Sequence, residues 1–107
     1  VPIFAQIAAS VRRAIADGDL APGDRLASAR DLAKSLDVNL HTVLRGYQEL
    51  RDEGIIELRR GRGAVVTTRA KGRSAALLAL TAYIEEARRA GLTADEATRL
   101  VREGMNS

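Results

Sequence analysis

The sequence predicts a mostly α-helical protein with one small β-hairpin, a winged helix-turn-helix followed by two C-terminal helices. Three observations lead there. Three amphipathic stretches follow one another in the first half of the chain, two β-branched runs then flank a glycine-containing turn, and the remainder carries one long and one short helical pattern. The expected division is a winged helix-turn-helix domain over 1–68, a polar linker over 69–73 and a two-helix dimerisation region over 74–107.

Ile3, Ile7, Val11 and Ile15 recur every four residues, so Ile3–Asp17 reads as the first helix. Pro2 suits its start, where a missing N–H costs nothing, and Gly18 suits its stop. "DGDLAPGDRL" is a turn region hinged at Pro22-Gly23. Ser28 opens the second helix, with Asp31 as a capping-box partner and Leu32, Ala33 and Leu36 as the buried side. A turn over Asp37–Asn39 leads into the third helix, capped by Asn39 and ended by Gly54, with Val43, Tyr47 and Leu50 on one face. Ile55–Leu58 and Ala64–Thr67 read as the strands of a hairpin with Arg59–Gly63 at its tip. Ser74–Ala90 is the long helix, broken by Gly91, and Thr93 with Glu96 makes a capping box for the last short one.

Composition narrows the function classes. At 107 residues and 46% hydrophobic, the chain can bury one modest core, and help from oligomerisation fits that size. There is no cysteine, hence no disulfide framework, thiolate metal site or thiol nucleophile, which suits a cytoplasmic protein. No apolar run approaches the roughly 20 residues that span a bilayer, and no signal-peptide pattern opens the chain. The abrupt opening at Val1-Pro2 leads us to expect further residues ahead of it. An enzyme is not expected. There is one histidine, no serine on a strand-to-helix elbow and no Walker lysine, and Asp17, Asp19 and Asp24 miss the spacing of a calcium loop. No cofactor and no metal are implied.

The charge is +3 overall but uneven. Val1–Arg73 carries thirteen Lys/Arg against nine Asp/Glu, whereas Ser74–Ser107 carries four against five. Arg59, Arg60, Arg62, Arg69, Lys71 and Arg73 follow one another with no acid between them, a strip that attracts polyanions or simply keeps a loop soluble. A winged helix-turn-helix places its third helix in the DNA major groove. Projected at about 100° per residue, that helix sets Val43, Gly46, Tyr47 and Leu50 inside and His41, Arg45 and Gln48 outside, with Thr42 and Glu49 flanking. Arginine pairs bidentately with guanine and glutamine with adenine, while threonine and helix N-termini grip phosphate. Gln48 and Glu49 also fit an ordinary solvated face. Leu40 either braces the turn or touches a thymine methyl. The wing arginines either enter a minor groove or rest on phosphates.

The segment from Pro2 to Val66 resembles the DNA-binding domain of the GntR family of bacterial transcription regulators. The resemblance is carried, in order, by "PIFAQI", "GDLAPGDRL", "SARDLA", "VNLHTV" with "RGYQEL", and "GRG". It implies a homodimer on a two-fold-related double-stranded DNA operator; bound there, the dimer is expected to repress by blocking polymerase, with activation as the alternative. The resemblance carries DNA-binding roles to Arg30, Asn39, Leu40, His41, Thr42, Arg62 and Gly63; the helix start, the outer arc and the wing add Ser28, Arg45 and Arg60 to the expected DNA-binding positions. Ala27 replaces the usual proline, Leu40 stands where many members have arginine or proline, and Leu44 where several subfamilies keep a DNA-contacting arginine. The short two-helix tail is similar to the YtrA-like subfamily. "RGY" also resembles a subfamily fused to an aminotransferase-like domain, but nothing after Ser74 suggests a cofactor-binding fold.

Leu77, Leu80, Tyr83, Ile84, Leu100 and Val101 expose more apolar surface than two helices hide alone. Packing across a two-fold axis buries it; folding back on the first domain is the alternative. A small-molecule effector is compatible with this architecture, yet two short helices offer no evident site for one. The rival to a DNA-binding regulator is a winged helix serving as a protein or RNA adaptor, which has no need of the outer arc of the third helix.

Overall fold

The computed structural model describes residues 1–107, in the order α1 (Ile3–Ala16), α2 (Ala29–Leu36), α3 (Leu40–Asp52), β1 (Ile56–Arg59), β2 (Gly63–Val66), α4 (Ala70–Arg89) and α5 (Ala94–Met105). Five helices and one antiparallel hairpin form the winged helix-turn-helix and its two-helix extension. The apolar stripe of α1 sends Ile7, Ala8 and Ile15 into the core. There they meet Val43, Tyr47 and Leu50 of α3, Ala33 of α2, and Ile55, Ile56, Ala64 and Val66 around the hairpin. Helix α3 is the hub, touching α1, α2 and β1.

Two local features set its position. At the crossing with α1, a Cβ on Gly46 would lie 3.0 Å from the Phe4 carbonyl oxygen and 3.3 Å from Ile7 Cγ2, so only glycine lets the two backbones come this close. That is why α3 tolerates an interior glycine despite a helix-propensity cost of about 1 kcal/mol. Between α2 and α3, Asp37 takes a left-handed conformation with φ 55°, the only non-glycine residue at positive φ. Aspartate is among the few side chains that tolerate it. The Asp37 and Val38 N–H groups return to the Lys34 and Ala33 carbonyls, which closes α2 and turns the chain.

The hairpin pairs Ile56 with Val66 through Arg59 with Gly63, one residue away from the expected strand limits. The offset has a cause: the Ile55 N–H donates to the Leu50 carbonyl at 3.0 Å, closing α3 before the strand can start. A third lane, with no strand pattern in the sequence, lies beside the hairpin. Gly23 N–H reaches the Val66 carbonyl, Val66 N–H the Asp24 carbonyl, and Leu26 N–H the Ala64 carbonyl, each at 2.9 Å. The second half of "DGDLAPGDRL" therefore covers the free edge of β2.

The polar segment expected as a linker over 69–73 is helical from Ala70 onward. Ala70 and Ser74 are fully buried while Arg69, Lys71 and Arg73 stay in solvent, so the first turns of α4 already lie on the winged domain, against α1. Leu77, expected at a dimer interface, is half-buried and packs against the same core. Beyond it α4 leaves the domain, and α5 folds back along it, held by the Tyr83 hydroxyl donating to the Ala97 carbonyl at 2.9 Å. The chain is 44 Å long and 21 Å thin, with a radius of gyration of 15.6 Å against about 13 Å for a compact chain of this length. No helix is long and apolar enough to cross a membrane.

Candidate nucleic-acid interface

The N-termini of α2 and α3 are capped by their own side chains. Ser28 Oγ accepts from Asp31 N–H at 3.1 Å, the forward half of the expected capping box, and Asn39 Oδ1 accepts from His41 N–H at 2.8 Å. The start of α2 is tied to the body of α3. Tyr47, on the inner face of α3, donates its hydroxyl to the Ala27 carbonyl at 2.7 Å, fixing the residue just ahead of Ser28. Burial pushes the Tyr47 phenol above its ordinary pKa, since the phenolate would lose its water.

On the outer arc of α3, His41, Leu44, Arg45 and Gln48 are exposed, and Leu40 and Thr42 are half-exposed. No acid lies in the first turn of α3, so nothing there offsets the positive end of its dipole. Arg45 has no acidic partner; its guanidinium carbon instead sits 3.8 Å from the centroid of the Phe4 ring on α1. Phe4 was not singled out in the sequence. Its only signal there is that it is the one phenylalanine, beside the α1 stripe.

The wing sorts its arginines. Arg59 is held by Glu57 at 2.9 Å, so its charge is answered within β1. Arg60 and Arg62 at the tip are exposed and without acidic partners, as is Arg30 on α2. Gly61 and Gly63, at φ 79° and 71°, supply the left-handed backbone of a tight tip. Helix α2 and strand β1 both pack on α3, and α2, α3 and the wing tip each contribute a cation without an acidic partner.

The extension behaves differently. Leu80, Ile84, Leu100 and Val101 are 40–46% exposed and Met105 is 82% exposed. With Tyr83, Ala87 and Ala97, most of them line an open, apolar groove of about 390 Å³ between α4 and α5. Helix α5 has no buried residue at all.

Comparison with known proteins agrees with this geometry. The family model of bacterial regulatory proteins of the gntR family matches residues 4–66, well over half the chain. The HTH-type transcriptional repressor YtrA of Bacillus subtilis is 43% identical over 70 residues, 65% of this chain and 54% of that protein, so the chain spans about half its length. The HTH-type transcriptional regulator Rv1152 of Mycobacterium tuberculosis is 39% identical over 99 residues, covering 92% of this chain and 81% of that one. The solved structure of YtrA from Sulfolobus acidocaldarius, a GntR-family transcription factor, is similar with a TM-score of 0.61 and 35% identity over 99% of this chain and 90% of that one. The chain belongs to the gntR family of bacterial regulatory proteins, and within it is similar to the YtrA members.

Proposed function

We propose that two copies of the chain pair through α4 and α5, occupy a two-fold-related operator in the cytoplasm and repress the promoter containing it. The observation that carries the DNA-binding surface is the outer arc of α3, exposed and free of acidic partners, flanked by Arg30 and the Arg60/Arg62 tip. In this reading each α3 enters the major groove, with Arg45 at a base edge and His41 and Gln48 beside it. Asn39–Thr42, Ser28 and Arg30 hold phosphates at the two capped helix starts, and Arg60, Arg62 and Gly63 follow the flanking backbone or minor groove.

Support for pairing comes from the apolar groove between α4 and α5. Burying the rest of Leu80, Ile84, Leu100 and Val101 contributes about 1 kcal/mol each, and two-fold symmetry doubles the sum. Two α3 helices on one face of the duplex then sit about 34 Å apart. Repression is supported by the similarity to the Bacillus subtilis transcriptional repressor YtrA and by simple obstruction of polymerase.

The test is selection of duplexes from a random library, followed by titration of the winner at two salt concentrations and sedimentation of the complex. A two-fold symmetric site, two chains per duplex and affinity falling steeply with salt are expected. Sequence-blind binding, or a single chain per site, overturns the operator reading. Absence of duplex binding moves the chain to the adaptor class.

A further inference from the structure

We infer that Phe4 is a positioning residue for base recognition: its ring holds the Arg45 guanidinium in the direction from which it reads the major groove. This rests on the proposed role of α3 and deepens it, by giving α1 a part in base selectivity.

The guanidinium carbon lies 3.8 Å from the Phe4 ring centroid, a distance at which the flat group stacks across the ring face. Stacking uses the face of the guanidinium and leaves its N–H edge free. No acid competes for that edge, since Arg45 has no ion-pair partner. A free, planar pair of donors is what the O6 and N7 acceptors of guanine require. The backbone that carries the ring is itself fixed. The Phe4 carbonyl abuts α3 at Gly46, the residue next to Arg45, so the α1–α3 crossing ties the backbone carrying the ring to the one carrying the guanidinium. Phe4 is half-buried and takes no place in the central core, so its ring is not needed to fill the interior. An unstacked arginine spreads over many rotamers, and ordering it on DNA costs affinity that the ring has already spent.

The test is a double-mutant cycle on the selected operator and on duplexes substituted one base pair at a time. Phe4→Tyr is expected to match the parent. Phe4→Leu is expected to lose about two- to fivefold in affinity for the operator, at the same base pairs where Arg45→Ala loses selectivity, with the salt dependence unchanged. In the Arg45→Ala background, Phe4→Leu is expected to have no further effect. Phe4→Met, which fills similar space without a π face, serves if the leucine variant melts early. A uniform loss on all duplexes, or the same loss with and without Arg45, overturns the inference. If Arg45→Ala leaves base selectivity intact while the operator is still bound, the role of Arg45 falls and the inference with it, though the operator reading stands.

Discussion

Arg12 of α1 grips Glu53 at the end of α3 with two branches of its guanidinium, Nε to Oε1 at 3.1 Å and Nη2 to Oε2 at 2.6 Å. Glu49, one turn earlier, lies 3.7 Å from the same Nη2. The side chains of Arg12 and Glu53 are 15% and 23% exposed, so this fork is far less screened than a surface pair. Its position matters as much as its burial. Of the three acids near the C-terminus of α3, where the helix dipole disfavours negative charge, Arg12 answers Glu49 and Glu53.

Arg12→Ala is therefore expected to destabilise the fold by about 2 kcal/mol, between the values for exposed and buried pairs. Glu53→Gln, which keeps a hydrogen-bonding partner, is expected to lose less. Urea unfolding with an unchanged slope and a lowered midpoint is the readout. A midpoint for Arg12→Ala equal to the parent's would show that the α1–α3 contact is carried by apolar packing alone.

How far the sequence could be read depended on whether a signal was local. The four-residue spacing of Ile3, Ile7, Val11 and Ile15, the capping side chains Ser28, Asn39 and Thr93, and the β-branched runs around Gly61 are each written within a few residues, and each yields its element. The lane over 23–26 has no strand pattern of its own; it is extended because β2 offers it an edge. The first turn of α4 was hidden by Arg69, Lys71 and Arg73, whose charge reads as a loop, while the two small residues Ala70 and Ser74 do the packing. Leu77 looks like its neighbours Leu80 and Ile84 on a helical projection; only the path of α1 separates the residue packed against the core from the exposed ones. The partner of Arg45 was unreadable for the same reason, since it arrives from another helix.

Tyr47 gives an alkaline signature. Its folded pKa is raised by burial, so above roughly pH 10 the unfolded chain releases the phenol proton first and stability falls as pH rises through the folded value. Below roughly pH 10 that contribution is fully present. Tyr47→Phe is expected to lose about 1 kcal/mol at neutral pH, from the hydroxyl's bond to the Ala27 carbonyl, and to flatten the alkaline slope relative to the parent. Equal slopes in the two proteins would assign the alkaline loss to other groups.

Ser74 is fully buried between α4 and the winged domain, and its Oγ has no hydrogen-bond partner. A buried hydroxyl without a partner carries a desolvation penalty of about 1–3 kcal/mol. Ser74→Ala removes the penalty, adds helix propensity and leaves the shape of the contact nearly unchanged. The variant is expected to melt several degrees higher, by differential scanning calorimetry, with no change in DNA affinity. A lower melting point would mean that the hydroxyl does find a partner.

Helix α4 joins the winged domain to the proposed pairing region without a flexible segment. Ala70, Ser74 and Leu77 sit on the winged domain, while Leu80 and Ile84, on the same unbroken helix, belong to the exposed groove. One alanine inserted between Leu78 and Ala79 leaves each half intact but rotates one against the other by about 100° and moves it about 1.5 Å. The insertion variant is expected to keep the parent's melting point, its self-association and its salt-dependent binding to random duplex. Its affinity for the selected two-fold operator is expected to fall at least tenfold, because the two α3 helices no longer face successive major grooves together. Recovery of tight binding on operators with altered half-site spacing would confirm that the helix sets the register. Undiminished affinity for the original operator would instead show that α4 bends between its two halves, and that the spacing is chosen by the DNA.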